Sequence, residues 1–330
     1  MGYCVSIFFI TALSSYLICN PVRGILSKYK FLDYPNDRSS HKTVTIRGGG
    51  VAPLIVILIA VWLCLYPAMP GVCVVWTVGL LLVGGVSLLD DHRGVSLGLR
   101  LVTQITVAAA VIYYFKQDTW TIVELWMGTL VFVAFMNFVN FMDGINGLVT
   151  GMIALVSAGI ALILNGTSAS MTAVGWSMTG AVLGFLPHNF PSARMFLGDV
   201  GSVGLAFCVG MMGILAVPEM ETKSDALWLC ILPLYFFLEG TVAIIRRWFN
   251  QEKWWEPHRE HFYQRLVRSG WSHSGVASLF WVFQIGIITL ITVAHEQLDI
   301  RWAWSLALMV WGFLFIYIER IYLLASKDSD

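Results

Sequence analysis

Apolar residues run through this chain in long stretches separated by short polar connectors. About 20 consecutive apolar residues are what a helix needs to cross the hydrocarbon of a bilayer, where every backbone polar group must be satisfied internally. The pattern predicts eleven such spans, at about 3–22, 50–67, 70–89, 98–115, 120–138, 148–164, 170–187, 201–218, 226–244, 274–294 and 302–324. Two longer polar segments, 23–49 and 245–273, interrupt the series. No basic residue precedes the first run and no small-residue cleavage site follows it, so it reads as a retained span. The expected fold is all-α: one polytopic membrane domain over residues 1–330, with about 10–11 transmembrane helices.

Composition agrees with this pattern. The chain is 58% hydrophobic and 12% charged, with a formal net charge of zero. A soluble domain carries roughly 25% charged residues, and a neutral chain has no global field to attract nucleic acid. The six cysteines (4, 19, 64, 73, 208 and 230) lie in apolar runs without metal-ligand spacing and read as buried thiols. Charge is distributed unevenly over the connectors. Residues 23–49, 90–97 with Arg100, 139–147, 188–200, 245–273 and the C-terminal tail hold 17 of the 20 Lys and Arg. That side is expected to be cytoplasmic, with the N-terminus on the opposite, periplasmic side.

The polar clusters with candidate chemistry all fall on the charged side, and the mid-span positions read as clean. The stretch Asn137 to Leu148, NFVNFMDGINGL, repeats a polar residue every third position through Asn137, Asn140, Asp143 and Asn146. On a helix that spacing keeps all four on one broad face, and Gly144 and Gly147 suggest a bent end. Asp90-Asp91-His92 closes the third span. Adjacent carboxylates at a helix C-terminus oppose the dipole, which suits a divalent metal or a general base better than a structural cap. Asp199 stands between Gly198 and Gly201 ahead of the eighth span, either capping that helix or holding a metal that bridges a phosphate. His258, Arg259, His261 and Arg265 crowd the loop after the ninth span and could grip a diphosphate; zinc lacks a third ligand there. The first loop ends in Lys42, Arg47 and Gly48-Gly49-Gly50, a basic glycine-ended entry that could meet phosphate through its backbone or simply be positive-inside charge. Carboxylates, a helix N-terminus and cations on one membrane face are the parts of metal-assisted phosphoryl transfer.

The motifs LLDDHRG, NFVNFMDGINGL, FLGDVGS and PHREHFYQRL, in that order, resemble the polyprenyl-phosphate N-acetylhexosamine-1-phosphate transferases, which include phospho-N-acetylmuramoyl-pentapeptide transferase. The likeness covers nearly the whole chain, and the last motif resembles the branch that initiates O-antigen or related surface polysaccharide. It implies transfer of a sugar 1-phosphate from a UDP-N-acetylhexosamine to undecaprenyl phosphate with release of UMP, in the bacterial inner membrane. By the resemblance, Asp90, Asp91, Asp143 and His258 are catalytic. Asp199 and Asp91 ligate Mg²⁺, with Mn²⁺ as an alternative. Asn137, Asn140, Asn146, Phe196, Arg259, His261, Lys42 and Arg47 bind substrate, with Phe196 stacking on uracil. Asn146 stands where many relatives carry Asp, which favours a nucleotide contact over a metal role. TVTIRGGG lacks the proline usual near its threonine, so Lys42 and Arg47 carry over least firmly. Membrane lipid is the other expected partner, and a homodimer is among the expectations. A lipid-linked sugar flippase is the competing reading and calls for ionisable residues within the spans.

Overall fold

The computed structural model describes residues 2–35, 43–116, 120–220, 223–253, 260–294 and 297–327. The chain order is α1 (Gly2–Lys28), a short antiparallel pair β1 (Leu32–Asp33) and β2 (Thr45–Ile46), then α2 (Val51–Leu65), α3 (Pro70–Arg93), α4 (Leu97–Phe115) and α5 (Ile122–Phe141). It continues with α6 (Leu148–Ile163), α7 (Ala169–Asn189), α8 (Gly198–Ala216), α9 (Lys223–Ile231), α10 (Leu234–Phe249), α11 (Phe262–Arg268), α12 (His273–Ala294) and α13 (Ile300–Lys327). Among the described residues, eight helices are long and apolar enough to cross a membrane: α1, α3, α4, α5, α7, α8, α12 and α13. The chain is an all-α, multi-pass membrane protein. Helices α2 and α6 are apolar but shorter, at 15 and 16 residues.

The predicted span at 226–244 is two helices, α9 and α10, broken at Leu232 and Pro233. Proline has no N–H to continue the ladder, and just beyond it Phe236 N turns to Pro233 O (3.0 Å), which releases the Leu232 carbonyl inside the bundle. The Leu232 carbonyl is satisfied from α12, where the buried Gln284 donates Nε2 to it at 2.9 Å. Protein depth, not lipid, is where such a break is tolerated.

Helix α8 lies at the centre, packed against α3, α5 and α6, while α7 packs against α1, α2 and α6. The first loop is stitched to the segment that leads into α8. Ile46 bridges Met195, Phe196 N donates to Ile46 O (2.8 Å), Gly49 N to Phe196 O (2.8 Å) and Gly50 N to Leu197 O (2.9 Å). At Gly50 this approach admits no side chain. A Cβ would overlap Gly201 Cα and stand 2.8 Å from Gly201 N and 3.0 Å from Leu197 O.

The mid-span positions are not clean. Glu239 lies within α10 at 1% exposure, and Gln104 of α4 is also buried. Protein groups surround both, which is how polar side chains are accommodated at that depth.

Candidate active site

Helix α3 ends on the acidic pair. Gly94 takes φ +72° and closes the helix through its N–H to Asp90 O (3.0 Å). Asp90 Oδ1 accepts from Val95 N (2.6 Å) and its Oδ2 from Arg100 Nη1 (2.6 Å). Ser96 accepts from Leu99 N and starts α4, which sets Arg100 in the first turns of that helix, facing the pair.

Asp91 is turned inward. Its two oxygens accept the backbone N–H groups of Asp199 (2.8 Å) and Val200 (3.0 Å), and Oδ1 lies 2.6 Å from Arg47 Nε. A carboxylate from α3 thereby satisfies donors that the start of α8 would otherwise leave open, at the end where the dipole favours negative charge. Gly198, φ +76°, makes this possible, since a Cβ there would come within 2.7 Å of Asp91 Oδ2 and 2.6 Å of Gly48 N. With those donors held by Asp91, the Asp199 side chain is directed to two arginines, at 2.5 Å from Arg47 Nη2 and 3.3 Å from Arg100 Nη1.

Arg47 therefore bridges Asp91 and Asp199, and Arg100 bridges Asp90 and Asp199. Burial opposes the charge on Arg47, but Asp199, Asp91 and Asp33 outweigh it and hold the guanidinium still more firmly protonated than usual. Asn140 of α5 joins the cluster. Its amide is assigned with nitrogen toward Ser202 Oγ (2.7 Å) and Asp199 Oδ1 (3.3 Å) and oxygen accepting from Arg100 Nη2 (2.9 Å), the orientation that satisfies both ends.

Asp143 sits in the turn between α5 and α6. Burial, and then the charges of Asp199 and Asp91, push its carboxyl well above the usual carboxylate range, with Arg47 opposing. Asp90, Asp91, Asp143 and Asp199 thus share one end of the bundle. Asn146 donates to Pro191 O (3.2 Å), and the neighbouring Gly147 N donates to Asn189 Oδ1 (2.9 Å), so the turn is tied to the end of α7. Asn137 lies one turn deeper and donates to Gln104 Oε1 (2.6 Å) and Val133 O (2.8 Å), away from the acidic cluster. Phe196 is half-buried beside the α8 start. His261, only 4% exposed, lies under the Asp143 turn and not on an open surface where a soluble diphosphate would reach it. Lys42, His258 and Arg259 lie outside the described residues.

Sequence reasoning counted Arg100 only as positive-inside charge and passed over Gln104 and Glu239. The available signal was the cost of placing such groups inside apolar runs, which demands a partner.

Three carboxylates, those of Asp90, Asp91 and Asp199, face two guanidiniums, an anionic excess made of hard oxygen donors. That donor chemistry fits Mg²⁺. Among the described residues no three of His, Cys, Asp and Glu already form one ligand set; the arginines stand between the carboxylates. Asp199 and Asp90 have oxygens paired only with arginine, whereas both oxygens of Asp91 are engaged by backbone amides.

The sequence model of glycosyl transferase family 4 matches residues 73–217, which hold the acidic pair, the Asp143 turn and the α8 start. The chain is 27% identical to a probable undecaprenyl-phosphate N-acetylglucosaminyl 1-phosphate transferase of Bacillus subtilis, over 96% of this chain and 91% of the relative. It is 26% identical to a decaprenyl-phosphate N-acetylglucosaminephosphotransferase of Mycobacterium tuberculosis, over 84% of this chain and 78% of the relative. A phospho-N-acetylmuramoyl-pentapeptide-transferase of Rippkaea orientalis is 25% identical over 76% and 75% respectively. With its four ordered motifs and near full-length likeness to these enzymes, the chain is similar to the polyprenyl-phosphate N-acetylhexosamine-1-phosphate transferases of glycosyl transferase family 4.

Proposed function

We propose that the protein transfers an N-acetylhexosamine 1-phosphate from a UDP-linked donor to undecaprenyl phosphate, at the cytoplasmic face of a bacterial inner membrane. The product is the lipid diphospho-sugar that begins O-antigen or a related surface polysaccharide. The observation that carries this reading is the single cluster in which Arg47 and Arg100 stand among Asp90, Asp91 and Asp199 at one end of the bundle.

In the reaction an oxygen of the lipid phosphate attacks the donor's β-phosphorus, the bridging bond to the α-phosphate breaks, and UMP leaves. Both reactants are anions, so the main barrier is their mutual repulsion and the charge that develops between them. Arg47 and Arg100 are placed to receive phosphate oxygens through charge-assisted hydrogen bonds. Asp199, with Asp90 beside it, would hold Mg²⁺, which when bound offsets phosphate charge. Asp91 fixes the first turn of α8, and Asn140 orients Arg100. Asp143, whose buried carboxyl holds its proton above the usual carboxylate range, would be the proton-exchanging group. Phe196 offers a half-exposed ring for the uracil, and Asn146 would supply an amide to the nucleotide.

The test is a panel of radiolabelled donors with membranes, undecaprenyl phosphate and Mg²⁺: UDP-GlcNAc, UDP-GalNAc, a 6-deoxy N-acetylated sugar and UDP-MurNAc-pentapeptide. Label entering the organic phase from one of the first three is the expected result. Label from the pentapeptide donor alone would move the enzyme to the peptidoglycan branch. No transfer from any donor, beside a working control enzyme, would remove the reading.

A further inference from the structure

Helix α10 buries a carboxylate that the reaction above does not use. Glu239 precedes Arg246, at the charged end of the helix, by seven residues, so it lies roughly 10 Å beneath that end at 1.5 Å per residue. Its Oε1 accepts the backbone N–H of Phe262 (2.6 Å) and stands 3.3 Å from His261 Nδ1. Its Oε2 is buried and has no hydrogen-bond partner among the described residues. A neutral amide would serve to accept from Phe262 N, so a carboxylate at this depth calls for a polar group facing it, and the His261 imidazole is the side chain beside it.

From His261 the contacts lead to the catalytic end. Its ring lies parallel to Tyr263, with centroids 5.9 Å apart and 12° between planes, and 6.4 Å from the ring of Phe141. The Tyr263 hydroxyl donates to Phe141 O (3.1 Å), the last residue of α5, directly beneath Gly144. Burial, then the charges of Glu239 and Asp143, raise the Tyr263 hydroxyl far above its usual range, so it remains a donor. Residues 260–262 are gripped from a second side, where Glu260 O accepts from Arg246 Nη1 (3.2 Å) and Arg265 Nε (3.1 Å). This is the point where the segment carrying His258 and Arg259 rejoins the described chain.

We propose that Glu239 is a positioning residue for the transfer step: its buried carboxylate holds His261 and the start of α11 beneath the Asp143 turn. The proposal rests on the transferase reading for its kinetic consequence and on the Glu239–His261 contact alone for its structural one.

The discriminating variant is Glu239→Gln in the full-length enzyme, assayed in detergent with undecaprenyl phosphate and the active donor. Glutamine keeps the size and an oxygen for Phe262 N–H, so a mere cap leaves turnover unchanged. A positioning role lowers kcat about tenfold while KM for the nucleotide sugar stays within about twofold. His261→Asn should give a similar loss, and the double variant should be no slower than the worse single one, because the two act through one contact. Wild-type turnover in Glu239→Gln, or additive losses, would overturn the proposal. A second readout needs no activity. In protein labelled with [15N]histidine, the His261 signals, identified by their loss in His261→Asn, should move in Glu239→Gln, and unmoved signals would overturn the contact. If no donor supports transfer at all, the transferase reading fails while the histidine spectrum still decides the pair. Should Glu239→Gln fail to accumulate, Glu239→Asp withdraws the same charge by one methylene. Slower turnover at unchanged KM then supports the proposal, and wild-type turnover overturns it.

Discussion

Two aspartates of the cluster are held by different atoms, and that difference separates their roles. Asp91 spends its oxygens on the amides of Asp199 and Val200, so the first turn of α8 does not depend on the side chain of Asp199. Asp199→Asn should therefore leave the protein folded, though with a lower melting temperature in detergent from the lost ion pairs, while transfer of label falls to background. Transfer near the wild-type rate with excess Mg²⁺ would take Asp199 out of the metal role. Asp143 makes a second prediction, with a sign fixed by linkage. Its carboxyl holds a proton more tightly in the folded chain than in the unfolded one. The folded state thus binds more protons, and stability falls as pH rises from the ordinary carboxylate range through the raised value. In EDTA, the wild type should lose melting temperature relative to Asp143→Asn across that interval. Parallel melting curves for the two proteins would show that Asp143 titrates normally.

At the scale of elements, the first loop and α8 are joined backbone to backbone. Gly50→Ala puts a methyl group against Gly201 Cα, with no flexible side chain to yield. The loop must lift, taking Arg47 from Asp91 and Asp199. We expect a loss of at least about 2 kcal/mol, of the order seen for overpacked cores, read as a lower detergent melting temperature and little transfer. Most of the helices were legible in the sequence because length and hydropathy decide them. The predicted 148–164 and 98–115 became Leu148–Ile163 and Leu97–Phe115. The break before α10 was hidden, since Pro233 sits in an unbroken apolar run and the Gln284 that satisfies the freed carbonyl comes from another helix. In the site, adjacent carboxylates and glycine-flanked aspartates were visible as local patterns. Gln104 and Glu239 were not, because their partners lie far along the chain, and Arg100 was not, because it pairs across a helix boundary with Asp90 and with the distant Asp199. The short strands and α11 were also missed, each too brief to show a period.

At the scale of the molecule, the helix ends give opposite faces. α3 finishes at the acidic cluster, whereas α12 starts just after α11, below the Asp143 turn, and runs 22 residues away from it. Cysteines placed at Arg93 and Asp299, both exposed, in a background without native cysteines should label from opposite compartments with a membrane-impermeant maleimide. On the proposed orientation Arg93 labels from the cytoplasmic side. Labelling of both from one side would break the arrangement on which a shared face for the clusters depends.

Helix α2, which begins at the glycine loop, spans only about 22 Å at 1.5 Å per residue, against roughly 30 Å of hydrocarbon. Its outer side turns Ile55, Ile59 and Leu63 away from the protein. Lipids along that flank meet a wall shorter than themselves, and the two leaflets are drawn together there. Under the proposed function, such a hollow beside the Arg47 loop would lower a polyprenyl headgroup toward the guanidiniums, so that the membrane itself would share in presenting the acceptor.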